Sequence, residues 1–455
     1  MTPTELDEAA QTGPRPPHVL YVAWGYPPSR GAGMYRALAT ANAFARDGWR
    51  VTVLTATRET FERLTGSDPE SEAYIDPRIH VVRIPFDPEL GETDLRAWSR
   101  ARVYSPLLWN FVRWLLSWLP FPESGYGAWK TPLVRATDAI HREHPVDLVV
   151  GSANPNVDFA PGRRLRRTHG VPYVLDHRDA WHLDVYSGRR IGARWGRSNR
   201  LERRLMDDAQ EAWFVNAPIR DWHAAEYPRR AEHFHVVANG YDPVFLEPAP
   251  ARVVDPERGL TFGYLGTIYG PMPLRETLEG WRLARAESPI VARSRLVFRG
   301  RLGHFAEPDA ATAALLDEYR GDEVSHLGPV SKSQVSAVYG GFDALLLILG
   351  RSRYVTSGKV FEYAATGLPI AALHHPDTAA TSALRGHPHL FPVAEPTPRL
   401  IADALIATAH DVVSAAPGEA ERTRRWAEHL SRDAQLLPRV AALRAAVAPV
   451  DGRPR

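Results

Sequence analysis

The sequence predicts an α/β protein made of two successive halves, each a parallel sheet with helices packed on its faces. Three observations carry that expectation. From His18 onward, short apolar runs suited to strands buried on both faces alternate with amphipathic stretches of helical period. The runs end in turn residues, as at Gly25-Tyr-Pro-Pro28, Asn216-Ala-Pro218, Asn239-Gly240 and Gly367-Leu-Pro369. The alternation breaks over residues 246–258, where proline-containing pairs give the composition of a linker. A chain of 455 residues exceeds the size at which one core stops growing, so two domains are expected, at 18–245 and 259–425. Residues 1–17, polar and proline-rich with no apolar signal core, read as a disordered leader, and residues 426–455 as a closing helix and tail.

In the first half, His18 to Trp24 is a buried strand that runs through a loop, Gly25 to Met34, into a helix, Tyr35 to Asp47. Gly48 stops the helix, and Trp49 to Thr55 is the next strand. Gly31 and Gly33 let the backbone approach a ligand closely, and the helix N-terminus behind them suits an anion. A plain tight connection accounts for the same residues. The loop does not fit Gly-x-Gly-x-x-Gly, and its two prolines argue against a dinucleotide fingerprint. Ile79 to Ile84 is a further strand. Leu107 to Phe121 holds three tryptophans and one charge, is too short to span a bilayer and is ended by Pro120. Arg113 is the only basic residue inside it, so burial between the halves is expected, in preference to an interfacial patch for a membrane or an apolar acceptor.

Val146 to Gly151 and Val171 to Asp176 are the next strands, the second running into His177-Arg178-Asp179. Charged side chains just past an apolar strand make this the most site-like point of the first half, with a structural Arg–Asp pair as the competing account. Ala209 to Val215 and Val236 to Ala238 complete the strands of this half and lead into Asn216 and Asn239-Gly-Tyr-Asp242.

The second half repeats the pattern. Leu260 to Leu265 ends at Gly266-Thr267, Leu274 to Arg285 is an amphipathic helix, and Leu296 to Phe298 ends at Arg299-Gly-Arg301. Val324 to Leu327, a helix from Gln334 to Tyr339 and the strand Ala344 to Leu349 lead to Ser357-Gly-Lys-Val-Phe-Glu-Tyr-Ala-Ala-Thr-Gly-Leu-Pro369. That stretch reads as a loop, a short helix beginning near Lys359, and a turn into the strand Ile370 to Leu373. Lys359 and Glu362 therefore stand at the carboxyl end of a strand, where parallel sheets bind ligands because loops and helix N-termini offer free N–H groups. Three residues apart, they share a helix face. Lys359 suits a phosphate and Glu362 suits hydroxyls, unless the two form a surface ion pair. Of 55 lysines and arginines, only Lys130, Lys332 and Lys359 are lysine. A compact ammonium serves as a point charge where a guanidinium fork does not fit. Pro398 to Ala409 and Glu421 to Val447 are helical in pattern.

Composition removes several classes of function. Hydrophobic content of 44% and charge of 24% are those of an ordinary globular protein, and a net charge of +2 gives no argument for nucleic acid. Arg163, Arg164, Arg166 and Arg167 form one local cluster, read as the solvated face of a helix. The absence of cysteine excludes disulfides, thiolate metal sites and a cysteine nucleophile, and fits a reducing, cytoplasmic location. Asp176-His-Arg-Asp179 is better suited to polar recognition than to a metal, since arginine separates the acids.

Taken together, Pro27-Pro-Ser-Arg-Gly-Ala-Gly33, Asn239-Gly-Tyr-Asp242, Gly263-Tyr-Leu-Gly-Thr267 and Lys359-Val-Phe-Glu-Tyr-Ala-Ala-Thr-Gly-Leu-Pro369 resemble the retaining enzymes of glycosyltransferase family four, over about residues 18–447. The resemblance implies the GT-B fold: two Rossmann-like domains facing across a cleft, with the C-terminal helix packing back toward the N-terminal domain. It implies transfer of a sugar from a nucleotide-diphosphate sugar, a co-substrate needing no separate cofactor or metal, to an acceptor hydroxyl with retention of configuration.

Carried over by position, Glu362 falls on the ribose hydroxyls. Gly31 and Gly33 fall near the diphosphate and acceptor, and Arg178 falls where many relatives have a histidine beside the transferring sugar. Gly266, Thr267 and Ser357 join the donor-binding turns, and Lys359 faces the phosphates. The family's Glu-x7-Glu pair is incomplete, because Tyr354 stands eight residues before Glu362. Its Arg and Lys after the first C-terminal strand are missing from Thr267 to Pro273, so Lys359, Arg299 and Arg301 are the candidates to replace that clamp. Asp179 and His177 are candidates for orienting the acceptor or handling its proton. Two other readings share the fold: a sugar-nucleotide epimerase, and a non-catalytic partner. The acceptor stays open, and the tryptophan-rich segment permits a lipid-linked or apolar one with peripheral membrane contact.

Overall fold

A computed structural model of the chain describes residues 15–86, 95–246, 256–270, 272–303, 309–331 and 334–447. Most of the expected linker and residues 1–14 of the expected leader lie outside those residues. Two sheets form, and every strand pairing in them is parallel. The first runs β3-β2-β1-β4-β5-β6-β7, from β1 (His18–Val22), β2 (Arg50–Ala56), β3 (Ile79–Ile84), β4 (Leu148–Ser152), β5 (Tyr173–His177), β6 (Glu211–Phe214) and β7 (Phe234–Val236). The second runs β10-β9-β8-β11-β12-β13, from β8 (Thr261–Leu265), β9 (Arg295–Arg299), β10 (Val324–His326), β11 (Ala344–Ile348), β12 (Ile370–Leu373) and β13 (Leu390–Pro392). The helices that bear on the site are α1 (Met34–Arg46), α2 (Pro106–Trp118), α3 (Ala160–His169), α4 (Arg197–Asp208), α5 (Lys359–Thr366) and α6 (Arg432–Val447).

The strands are apolar along their whole length because both faces are covered. Val19 and Tyr21 pack on one side with Phe44 and Trp49, while Leu20 and Val22 pack on the other with Phe61 and Leu133. In the second sheet Leu345 and Leu347 meet Val360 and Phe361 of α5, and Leu346 and Ile348 meet Leu278 and Trp281. Strand order reverses between β1 and β4 in one sheet and between β8 and β11 in the other. Crevices open at the carboxyl ends of strands at such switch points; Gly31, Gly33, Arg178, Asp179, Gly266, Thr267, Tyr354 and Ser357 sit on the loops that leave β1, β5, β8 and β11, and Lys359 and Glu362 on the helix that follows the last of them.

The helix α6 closes the molecule by returning to the first half. Its Leu436, Val440 and Leu443 join the core cluster of α1, and Arg46 grips Asp433 through two bonds of 2.7 and 2.5 Å. The expected continuous helix from Glu421 to Val447 is broken at Ser431, whose backbone is extended. There the returning chain runs beside the outgoing one: Arg432 N–H donates to the Tyr241 carbonyl at 2.8 Å and Tyr241 N–H donates to that of Leu430 at 3.1 Å. Gly240 has φ +62°, and a Cβ on it would stand 2.7 Å from the Arg432 nitrogen. The Asn239-Gly-Tyr-Asp242 motif is thus the place where the two crossing segments touch.

Three expectations are corrected. Arg15 forks onto Asp147 at 2.9 and 2.8 Å and the Pro17 carbonyl accepts from Arg50, so residues 15–17 are tied to the sheet. The strand β13 was not expected, being three residues at a sheet edge that end in Pro392. Leu107 to Phe121 is not buried between the halves: Leu107 is 86% exposed and Leu108 62%, and within the segment Ser117 and Phe121 alone are buried.

Candidate active site

On the second half the site is built around the end of β8. The Lys359 ammonium, at the first position of α5, donates to the Tyr264 hydroxyl at 2.6 Å and lies 4.1 Å from the centre of that ring. The same hydroxyl donates to the Thr267 carbonyl at 2.7 Å. Gly266 has φ +145°, and a Cβ on it would lie 2.5 Å from Lys359 Nζ. Glycine at 266 therefore leaves the space that the ammonium fills. Beneath it Tyr363 of α5 accepts from Leu265 N–H at 2.9 Å, which holds the helix start against the strand end. Burial pushes the Lys359 ammonium down to about 7, against the opposing pull of Glu362.

Glu362 lies one turn further along α5 and accepts from the Tyr339 hydroxyl at 3.0 Å. Its charge is felt across the cleft. The Tyr35 phenol of α1 is raised by burial and by the Asp68 and Glu362 carboxylates. Arg432, lowered by burial, is favoured in its charged form by Asp242 and Glu362. Sequence reasoning missed Arg432 and Tyr339. Arg432 opens a stretch that reads only as helical, and Tyr339 lies 23 residues from its partner.

On the first half, Arg178 leaves the end of β5 and lays its guanidinium on Gly33, the residue before α1. A Cβ on Gly33 would stand 1.6 Å from Nη1 and 2.3 Å from Cζ. Gly31 has more room, with Ser29 Oγ 3.4 Å from the same construction, and its N–H donates to that hydroxyl at 3.2 Å. Below Arg178 lies Asp158, fully buried, with Oδ2 accepting from Trp24 N–H at 2.7 Å. Burial raises this carboxyl well above the usual range while Arg178 pulls it down. Asp179 is exposed and accepts from Asn154 Nδ2 at 2.6 Å.

Several expected site residues are elsewhere. His177 is 1% exposed and sits between the rings of Phe159 and Phe214; burial lowers it to about 3, so it is a neutral core group and has no access to an acceptor proton. Asp176 belongs to a buried ion pair, with Arg36 of α1 at 2.6 Å, and Arg36 also donates to the Val237 carbonyl at 2.9 Å. Tyr354, eight residues before Glu362, is turned toward the first half. Its ring packs on the first half's core, where a Cβ on Gly188 would lie 3.2 Å from it. Its carbonyl accepts from Asn216 Nδ2 at 2.8 Å, Thr356 Oγ1 lies 3.0 Å from the same amide, and Ser352 Oγ donates to the Val185 carbonyl at 2.5 Å. The loop before Ser357 is therefore latched across the cleft. Arg299 donates to the Leu327 carbonyl at 3.2 Å beside β10, and Arg301 is exposed with no ion pair among the described residues.

Residues 30–240 match a family model described as a glycosyl transferase 4-like domain. No curated protein matches the chain. Solved structures share the fold at low identity. A glycosyltransferase from Rickettsia africae is 10% identical with a TM-score of 0.62, over 95% of this chain and 99% of that one. The sucrose-phosphate synthase of Thermosynechococcus elongatus is 15% identical with a TM-score of 0.58, over 95% of this chain and all of that one. Anabaena HepE, solved with UDP and glucose, is 13% identical with a TM-score of 0.55, over 94% and 99%.

Proposed function

We propose, from the match of residues 30–240 to a glycosyl transferase 4-like domain and from the two-sheet fold, that the protein moves a sugar from a nucleoside-diphosphate sugar to an acceptor hydroxyl, with retention and without a metal. The observation that carries this reading is the seat of the Lys359 ammonium under Gly266, at the β8/β11 switch point and the N-terminus of α5.

In the proposed reaction the bond from the anomeric carbon to the diphosphate breaks, and a bond to the acceptor oxygen forms on the same face. The acceptor proton passes to the departing phosphate. Negative charge grows on that phosphate, and the Lys359 ammonium at the start of α5 stabilises it. Glu362, oriented by Tyr339, accepts from the hydroxyls of the nucleotide's ribose. Arg178 reaches the sugar and diphosphate from the opposite domain, and Asp179 orients the acceptor. HepE was solved with UDP, which makes UDP-sugars the first donors to try.

The test is release of nucleoside diphosphate from UDP-, GDP-, TDP- and ADP-sugars, with and without candidate acceptors, with NMR of the product anomer. Lys359→Ala should lower turnover about a hundredfold, the typical cost of removing one preorganised charge-stabilising group. Unchanged turnover in that variant removes the phosphate role. A changed sugar formed without any acceptor would identify an epimerase instead.

A further inference from the structure

The exposed helix α2 and the arginines that sequence analysis assigned to a solvated face turn out to be neighbours. Along α2, Leu107 is 86% exposed, Leu108 62%, Phe111 57% and Leu116 52%, while Phe111, Trp114 and Trp118 stack in succession at 6.1 and 5.7 Å. Immediately beyond the helix, Pro120 to Pro122 wall a groove of about 770 Å³. Its other walls are Arg163, Arg164 and Arg167 of α3 and Arg197, Arg200 and Arg204 of α4. Arg197 joins the two features: Nη1 donates to the Trp118 carbonyl at 3.0 Å and the guanidinium lies 4.6 Å from the centre of the Trp118 ring.

Positive charge in the groove is poorly matched. Asp138 pairs with Arg164 at 3.0 Å, and among the described residues no carboxylate comes within ion-pair distance of the other five. Lys130, which donates to the Pro120 carbonyl at 3.0 Å, is pushed down by burial and by Arg163 and Arg197. Trp195, two residues before α4, is 81% exposed. An apolar aromatic face beside a groove with more arginines than carboxylates is the combination that an anionic bilayer surface satisfies: rings and leucines enter the boundary below the headgroups, and guanidiniums take the lipid phosphates.

We propose that α2 and the arginine groove dock the first half of this protein onto a membrane surface bearing anionic phospholipids. The surface adjoins the cleft. Phe121 stacks on Trp181 just past β5 at 5.5 Å, and Glu123 accepts from Asn156 and Val157 N–H just past β4 at 2.8 and 2.7 Å. Docking therefore sets the carboxyl ends of the first sheet against the lipid. No single described helix is long and apolar enough to cross a membrane, so the contact is peripheral. The inference does not rest on the sugar-transfer reading.

The test is flotation of the full chain with vesicles of phosphatidylcholine alone and of phosphatidylcholine mixed with phosphatidylglycerol. The protein should float with the mixed vesicles and sediment with phosphatidylcholine, and added salt should weaken binding. A variant combining Arg167→Glu, Arg200→Glu and Arg204→Glu should bind roughly a hundredfold more weakly. A second variant, Leu107→Ser with Leu108→Ser and Phe111→Ser, should also lose binding. All these side chains are exposed, so unchanged thermal unfolding is expected for both. Failure to float with anionic vesicles overturns the proposal, as does binding that neither variant weakens. So does a protein that takes inorganic pyrophosphate in the groove but no vesicle.

Discussion

The guanidinium of Arg178 occupies the space in which a side chain at residue 33 would begin: a Cβ on Gly33 would stand 1.6 Å from Nη1. Glycine there is explained by an arginine 145 positions away, and the contact fixes how the β5 loop meets the start of α1.

Gly33→Ala should therefore act through Arg178. The colliding atoms are the far end of a flexible side chain, so the fold should survive while the guanidinium is displaced. Both Gly33→Ala and Arg178→Ala should lower kcat/KM, by roughly tenfold to a hundredfold. The double variant should cost no more than the larger single change. Additive losses in that cycle would show that the two residues act separately.

Lys359 gives a pH dependence. Its ammonium is held near 7 by burial, so it loses its proton as pH rises through that value, whereas a bound diphosphate favours the charged form. Affinity for a nucleoside diphosphate should be greatest below pH 7 and fall by up to about tenfold per pH unit above it. Titration calorimetry between pH 6 and 8.5 reads this, with Lys359→Arg as the variant that should flatten the slope. A wild-type affinity that does not change over that range contradicts the assignment.

The latch across the cleft separates two roles of Asn216. Its Oδ1 accepts from Ile219 N–H at 2.9 Å, capping the helix Ala217–Glu226, while its amide donates to the Tyr354 carbonyl at 2.8 Å. Asn216→Asp keeps the cap and removes the donation. Losing it should cost about 1–3 kcal/mol of domain closure and raise KM for the donor with little change in melting temperature. Tyr354→Phe keeps the carbonyl and should leave KM unaltered; a raised KM there would restore a role for the ring's hydroxyl.

Acid should destabilise the first half through its buried histidines. Burial lowers His18 to about 4 and His177 to about 3, so the unfolded chain takes protons below about 6.5 that the native state refuses. Stability from these groups is full above pH 6.5 and is lost as pH falls toward 4, by up to about 3 kcal/mol for His18. Glu202 adds to the loss at lower pH. Burial pushes its carboxyl up, but the His182 and Tyr227 contacts at 3.0 and 2.6 Å hold it at about 2, so its contribution fades from about pH 4.5 downward. Urea midpoints at pH 7, 5.5 and 4.5 should decline in that order; equal midpoints would contradict the account.

The two-sheet fold and the place of Lys359, Glu362 and Gly266 were legible because each depends on local signals: apolar runs, a turn glycine, and a helix start at a strand end. What failed depends on distance in the chain. Asp176 finds Arg36 across 140 positions, and nothing near Asp176 announces it. His177 follows Asp176 along β5 and enters the core, where a polar residue at a strand end was expected to face the cleft. Tyr354 precedes Glu362 by eight residues, but the loop between them is drawn to Asn216. The segment at Leu107 was judged by the single basic residue within it, whereas its basic complement comes from α3 and α4.

The most direct measurement is thermal unfolding of the chain with UDP, GDP, TDP and ADP, repeated with Lys359→Ala and Glu362→Ala. A nucleotide at a hundred times its dissociation constant stabilises by about 2.7 kcal/mol, enough to move the transition by several degrees. The account predicts that one base stabilises the native chain selectively and that both substitutions abolish the shift. Stabilisation retained in full by both variants would place the nucleotide somewhere other than the β8/α5 crevice and contradict the donor site described here.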